Sequence, residues 1–246
     1  MITLTAVFFA SLFAGCVSSL TGFGYAMAAV PFLTLVMDPK DVVMFVLATN
    51  MILKIGMVWR TRHEGSFRDI WVMFAASVAG ALPGAYIMLY ISADMLKILI
   101  GTILLVATVM MYKNYAVTIR RPLLAQGVAG GISGFLASTT SLNGPPIMLY
   151  YMNENTPKEI LRANMARYFL LNNAASILMA WVAGTFRAES LSLYIAISLP
   201  ALAIGFWLGD KLFYKLDAAR FRSLALKVIT FGGLFTAATG LLKACQ

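Results

Sequence analysis

The sequence predicts an all-α polytopic membrane protein made of two inverted-topology repeats of about five helical segments each, with broken or re-entrant half-helices near the bilayer midplane. Three observations carry that prediction. Hydrophobic residues make up 61% of the 246 positions and charged residues only 12%, against roughly 25% charge in soluble domains, and the mean hydropathy is +0.83. So few charges could not cover a water-exposed surface. Two stretches, 1–37 and 122–153, carry no charge at all. As straight helices they would measure roughly 48–55 Å at about 1.5 Å per residue, against a hydrocarbon core of about 30 Å, so each must break or fold back. Finally, the two stretches and the segments after them match in order. A β-barrel would show alternating segments of about 10 residues, and the sequence has none.

The apolar runs divide into ten segments. The first stretch supplies about 3–19 and 24–37, separated by Ser18-Ser19-Leu20-Thr21-Gly22-Phe23-Gly24; then come 41–60, 69–91 and 94–112. The second stretch supplies 123–137 and 144–152, separated by Ser138-Thr139-Thr140-Ser141-Leu142-Asn143-Gly144, followed by 157–182, 189–214 and 218–242. Both halves of each broken stretch fall short of the roughly 20 residues that a full span needs. They read as half-helices or re-entrant hairpins whose irregular turns lie in protein, not lipid. The N-terminus has no basic n-region and its apolar run outlasts an h-region, so it reads as part of the mature fold. The chain divides into a first repeat at 1–113, a basic cytoplasmic linker at 114–121 and a second repeat at 122–246.

Loop charge sets the orientation. Arg60-Thr61-Arg62-His63 with Arg68, Lys113 with Arg120-Arg121, and Lys211, Lys215, Arg220 and Arg222 form three basic loops. Those near Asp38–Asp41, Ile91–Asp94 and Arg187–Glu189 carry little net charge. Placing the basic loops in the cytoplasm obeys the positive-inside bias and leaves both termini outside a cell membrane. The formal charge of +9 is thereby explained by topology, and no nucleic-acid partner is expected. Cys16 and Cys245 suit neither a structural disulfide nor a metal set. No metal, cofactor or phosphate-binding loop is read from the sequence.

Shifted by 115 residues, Gly15 meets Gly130, Ser18 meets Ser133 and Pro31 meets Pro146. With a small insertion, Pro39-Lys40-Asp41 meets Pro157-Lys158-Glu159 at 118 and Gly65-Ser66-Phe67 meets Gly184-Thr185-Phe186 at 119. Gly80-x-x-x-Gly84 meets Gly205-x-x-x-Gly209 at 125. Five segments per half, an odd number, would reverse the second half relative to the first. The glycine pairs read as helix-packing notches, with a homodimer face as their alternative use.

On these features the chain resembles the TauE/SafE family of membrane proteins, grouped around export of sulfite and organosulfonates. The resemblance covers nearly the whole length. It rests on the doubled order of a Gly-rich break, a Pro and a polar-capped helix, Gly15 to Pro31 to Lys40 and Gly130 to Pro146 to Lys158, and on Gly130-Gly131-Ile132-Ser133-Gly134-Phe135, similar to the family's second-half glycine signature. It implies export of a small sulfur oxyanion or sulfonate across the cytoplasmic membrane.

The candidate binding residues follow from the breaks. Helix N-termini carry unpaired N–H groups and about half a positive charge, which suits an anion. Thr21, Thr139, Thr140, Ser141 and Asn143 add hydroxyl and amide donors, while Gly22 and Gly24 let backbone approach a ligand. The competing reading is that these small residues only allow close helix packing. In 157–182, Asn164, Tyr168 and Asn172 share a face with Arg167 beside them. Arg167, about 14 Å along the helix from Lys158, is costly in lipid unless a partner or an anion meets it, and no intramembrane acid presents itself. The matching helix carries Asn50 and Lys54; Lys54 could instead snorkel to the surface. Arg162, nearer the helix end, reads as an anchor, and His63 as a solvated loop residue.

The function these features favour is a secondary transporter whose partners are a small anion and the bilayer. An anion channel of the same fold and a non-transporting scaffold or assembly factor are the alternatives. An enzyme is disfavoured, since no nucleophile, base or carboxylate pair converges at one depth.

Overall fold

The computed structural model describes residues 2–112, 121–154, 156–185 and 191–217, with positions 220, 223 and 227. Those residues form nine α-helices and no strand. In the first half these are α1 (Ile2–Thr21), α2 (Tyr25–Leu33), α3 (Pro39–Arg60), α4 (Trp71–Tyr90) and α5 (Ala93–Tyr112); in the second, α6 (Pro122–Thr140), α7 (Gly144–Asn153), α8 (Lys158–Val182) and α9 (Ser192–Lys215). Thr3–Thr21, Pro39–Arg60, Phe67–Tyr90 and Ser192–Lys215 are long and apolar enough to cross a membrane. The chain is a polytopic helical membrane protein. The expected segment 218–242, apart from positions 220, 223 and 227, and most of the linker at 114–121 lie outside the described residues, as does the Arg187–Glu189 loop.

Both charge-free stretches break and fold back. Phe13 of α1 meets Phe32 of α2 edge to face, with centroids 6.4 Å apart. In the second hairpin Gln126 of α6 donates to the Tyr150 hydroxyl of α7 at 3.1 Å. Only the returning arms are half-length, at 9 and 10 residues. The outgoing arms, α1 and α6, run for 20 and 19 residues because the helix continues through the serines and threonines that the sequence suggests as interruptions. Thr21 and Thr140 each return a hydroxyl to the carbonyl four residues back, Val17 and Leu136, a bond that lets such residues end a helix without opening it earlier.

The strongest packing is between halves: α1 lies chiefly on α9, α4 chiefly on α6, and α3 on α8. Glycines make the first two contacts close. A methyl group on Gly80 or Gly84 would strike the carbonyls of Gly131 and Phe135 on α6, and one on Gly205 or Gly209 would strike those of Leu12 and Cys16 on α1. Small residues are how membrane helices bring backbones together. These notches are filled within the chain, so their alternative use as a dimer face does not hold.

These contacts set a register between the halves. Leu12 and Gly131, and Cys16 and Phe135, stand 119 positions apart, as do the ends of α1 and α6 and the starts of α3 and α8. The spacing of 115 that the sequence suggests for the broken stretches is one helical turn short. A four-residue slip keeps every side chain on its own face, which is why both spacings look plausible in sequence.

The loops sort onto two faces. Arg60 at the end of α3 pairs with Asp210 near the end of α9 at 3.2 Å, and Lys158 at the start of α8 donates to the Leu216 carbonyl just past α9 at 2.6 Å. Trp59, Trp71, Trp207 and Tyr214 are exposed toward this basic face, and Tyr86, Tyr90 and Trp181 toward the other. Aromatic girdles of this kind mark the two interfaces of a bilayer. The far face holds a cleft of about 550 Å³ lined from three low-charge loops, by Asp38, Lys40 and Asp41, by Ile91 to Ala93, and by Gly184 and Thr185.

Candidate functional site

The two breaks meet in the interior. A Cβ built on Gly144, the first residue of α7, would lie 3.2 Å from the ring of Phe23 in the first break. At the 119-residue spacing Gly22 faces Ser141 as its counterpart, and both hold positive φ, 82° and 59°. Gly24, also at positive φ, is the N-cap of α2 and leaves the helix start without a side-chain cap. Asn143 holds the equivalent place before α7.

Around the first break the buried groups are basic. Lys54 is fully buried, and its ammonium donates to Ser18 Oγ at 2.8 Å, to the Gly22 carbonyl at 2.9 Å and to Met57 Sδ at 3.4 Å. All three donors have acceptors, yet none of those acceptors carries charge. The next serine serves a second cation: Arg162 Nη2 donates to Ser19 Oγ at 3.3 Å and to Asp210 Oδ1 at 2.8 Å. Arg162 backs directly onto the break, its Cα 3.2 Å from where a Cβ of Gly22 would stand. Its Nε and Nη1 are buried without a partner. The first turn of α2, which follows the break in the chain, has backbone N–H groups without helical acceptors.

Around the second break the groups are neutral. Asn143 Nδ2 donates to Asn172 Oδ1 at 2.7 Å and Asn173 Oδ1 at 3.1 Å, and Ser133 Oγ donates to the Asn143 carbonyl at 2.7 Å. Two of the four leading positions of α7 are Pro145 and Pro146, which have no N–H. The second helix start is therefore a poorer anion cradle than the first.

The sequence-derived residues divide accordingly. Gly22, Gly24 and Lys54 come together at the first break, and Asn143 and Asn172 at the second. The hydroxyls of Thr21, Thr139, Thr140 and Ser141 donate to backbone carbonyls of their own segments. Asn50 and Tyr168 are buried. Arg167 does not face the breaks: its Nη2 donates to the carbonyls of Thr61 at 3.0 Å and Arg62 at 3.4 Å, with the guanidinium 5.6 Å from the Phe67 ring centroid. It closes the C-terminal end of α3, where carbonyls lack helical donors. Asn164 likewise serves the loop, accepting from Ser66 N at 3.1 Å.

Three contributors escape a sequence reading. Arg162 is fully buried and ion-paired, so it is not a surface anchor. Asp210, near the end of α9, is an acid that the sequence does not disclose as a partner, because Lys211 and Lys215 beside it mark a loop. Asn173 joins Asn172 on the Asn143 amide. The signal for Asp210 is an acid inside an otherwise apolar run. Among the described residues no three His, Cys, Asp or Glu side chains gather as a metal site would require.

Residues 7–236 match the model of the sulfite exporter TauE/SafE family. The match covers most of the chain, and the chain belongs to that family. No curated protein and no solved structure matches it.

Proposed function

We propose that this TauE/SafE family member is a secondary transporter that exports a small sulfur oxyanion or organosulfonate, bound at the first break by Lys54, Arg162 and the start of α2. Membership of a family of sulfite exporters supports the transport class. The observation that carries the site is Lys54, fully buried with its Nζ held only by uncharged acceptors. An unpaired buried charge costs several kcal/mol, and a bound anion offsets that cost while it is present. Arg162 adds buried N–H groups without acceptors, and Gly22, packed against the Arg162 backbone and accepting from Lys54, brings the two cations to the same turn. The contrast with the prolines and amides of the second break favours the first as the seat of the charge.

With the basic face placed in the cytoplasm of the cell, outward movement of one negative charge down an inside-negative potential releases about 2.3 kcal/mol per 100 mV. Efflux then needs no nucleotide. The test is sulfite and methanesulfonate flux in vesicles containing the purified full chain. Saturable flux with counterflow, reduced more than about tenfold by Lys54→Met, is the expected result; that loss corresponds to about 1.4 kcal/mol. Vesicles no more permeable than protein-free controls to either anion overturn the reading.

A further inference from the structure

Asp210 stands between two cations of opposite accessibility. Its Oδ1 accepts from Arg162 Nη2 at 2.8 Å, and the Arg162 side chain is 1% exposed. Its Oδ2 accepts from Arg60 Nε at 3.2 Å, and Arg60 is 48% exposed. Asp210 itself is 15% exposed, at the rim of the buried cluster rather than inside it. The guanidinium of Arg162 lies 4.3 Å from the Phe213 ring centroid, so the inner cation is fixed by stacking as well as by its acid. The carboxylate holds that guanidinium through Nη2 alone, the nitrogen common to both of its edges, while Nε and Nη1 remain without acceptors. A planar guanidinium is built to take a two-oxygen anion along an edge.

We propose that Asp210 is the resident counter-anion of the transport site: it neutralises Arg162 when the site is empty, competes with the incoming oxyanion for that guanidinium, and is retained by Arg60 when displaced. The proposal rests on the site reading above and adds what sets its affinity and release. Without Asp210, Arg162 would hold an oxyanion too tightly to let it go; without Arg60, Asp210 would stay on Arg162 and exclude the oxyanion. The protein's own carboxylate thus stands in for substrate, and the ion pair exchanges partners rather than simply opening.

Sodium sulfite binding to the detergent-purified full chain, followed by calorimetry and thermal melting, tests this with Asp210→Asn and Arg60→Gln. The asparagine variant should bind sulfite at least about tenfold more tightly, near 1.4 kcal/mol, and gain more in melting temperature from saturating sulfite than the wild type does. Loss of the half-exposed Arg60 should weaken binding by about threefold, the scale of one partly screened pair. If Asp210→Asn is too unstable to purify in plain buffer, recovery in sulfite but not in equimolar chloride supports the proposal, and recovery in neither overturns it. Unchanged or weaker sulfite binding by a folded Asp210→Asn protein makes the pair merely structural and overturns the proposal while leaving the site intact. Absence of saturable binding by the wild type removes the site and this inference together.

Discussion

Phe23 lies against Gly144, so the turn of the first broken hairpin covers the opening residue of α7, the returning arm of the second. The two hairpins are joined at this contact by a ring over a hydrogen atom. Gly144→Val should overfill it, costing about 1–3 kcal/mol and slowing transport. Phe23→Ala in the same chain should recover part of the loss. A double-mutant cycle on detergent melting measures the coupling, and strict additivity would show that the turns do not bear on one another.

Lys54→Met should move stability and function in opposite directions. Methionine, one atom shorter, keeps an unbranched apolar stem and removes an amine whose acceptors carry no charge. Replacing buried charge with apolar volume is often neutral or stabilising by about 1–4 kcal/mol. A higher melting temperature together with lost sulfite flux is the expected pair of results. A variant that melts lower would mark Lys54 as a structural strut.

Gly22 and Ser141 occupy equivalent turns, yet they should tolerate exchange differently. Gly22→Ala adds a methyl at φ 82° within 3.2 Å of Arg162 Cα, for which about 1–3 kcal/mol of backbone strain is the expected cost. Ser141 already bears a side chain at φ 59°, so Ser141→Gly relieves that strain and should stay within about 1 kcal/mol of the wild type. Denaturant midpoints of the purified variants decide both.

Arg167→Gln and Asn143→Ala should behave as structural changes. Arg167 holds the end of α3, and Asn143 ties α7 to Asn172 and Asn173. Removing either leaves buried carbonyls without donors, at about 1–3 kcal/mol each. Sulfite KM should remain as in the wild type for both, whereas Lys54→Met changes it. A raised KM for either variant would return that residue to the binding site.

Much of the fold is legible in the sequence because lipid leaves so few options. Absence of charge over 1–37 and 122–153 forces a fold-back, and nine of the ten segments read from hydropathy coincide with helices to within a few residues; the tenth lies almost wholly outside the described positions. The site is less legible. Lys54 stands out because a cation is rare in a span, and Gly22 because it sits in a small polar break of an otherwise apolar stretch. The surroundings of Arg167 and Arg162 are hidden for one reason: depth along α8 says how costly a cation is, and only tertiary contacts say what meets it. The loop at 61–66 rises to meet Arg167, while α9 brings Asp210 to Arg162. Neither approach leaves a periodic trace in the sequence. The four-residue slip between 115 and 119 has a similar origin, since helices one turn out of step present identical faces.

The glycine contacts carry a mechanical consequence. With α9 fitted onto α1 and α6 onto α4 at backbone distance, any rocking that keeps those contacts cannot pit residues 1–113 against 122–246. The rigid units must be mixed, one built on α1, α2 and α9 and the other on α4, α6 and α7, with the crossing of α3 over α8 as the fulcrum. A cross-link placed within either unit would then be silent, whereas one joining the two would arrest turnover.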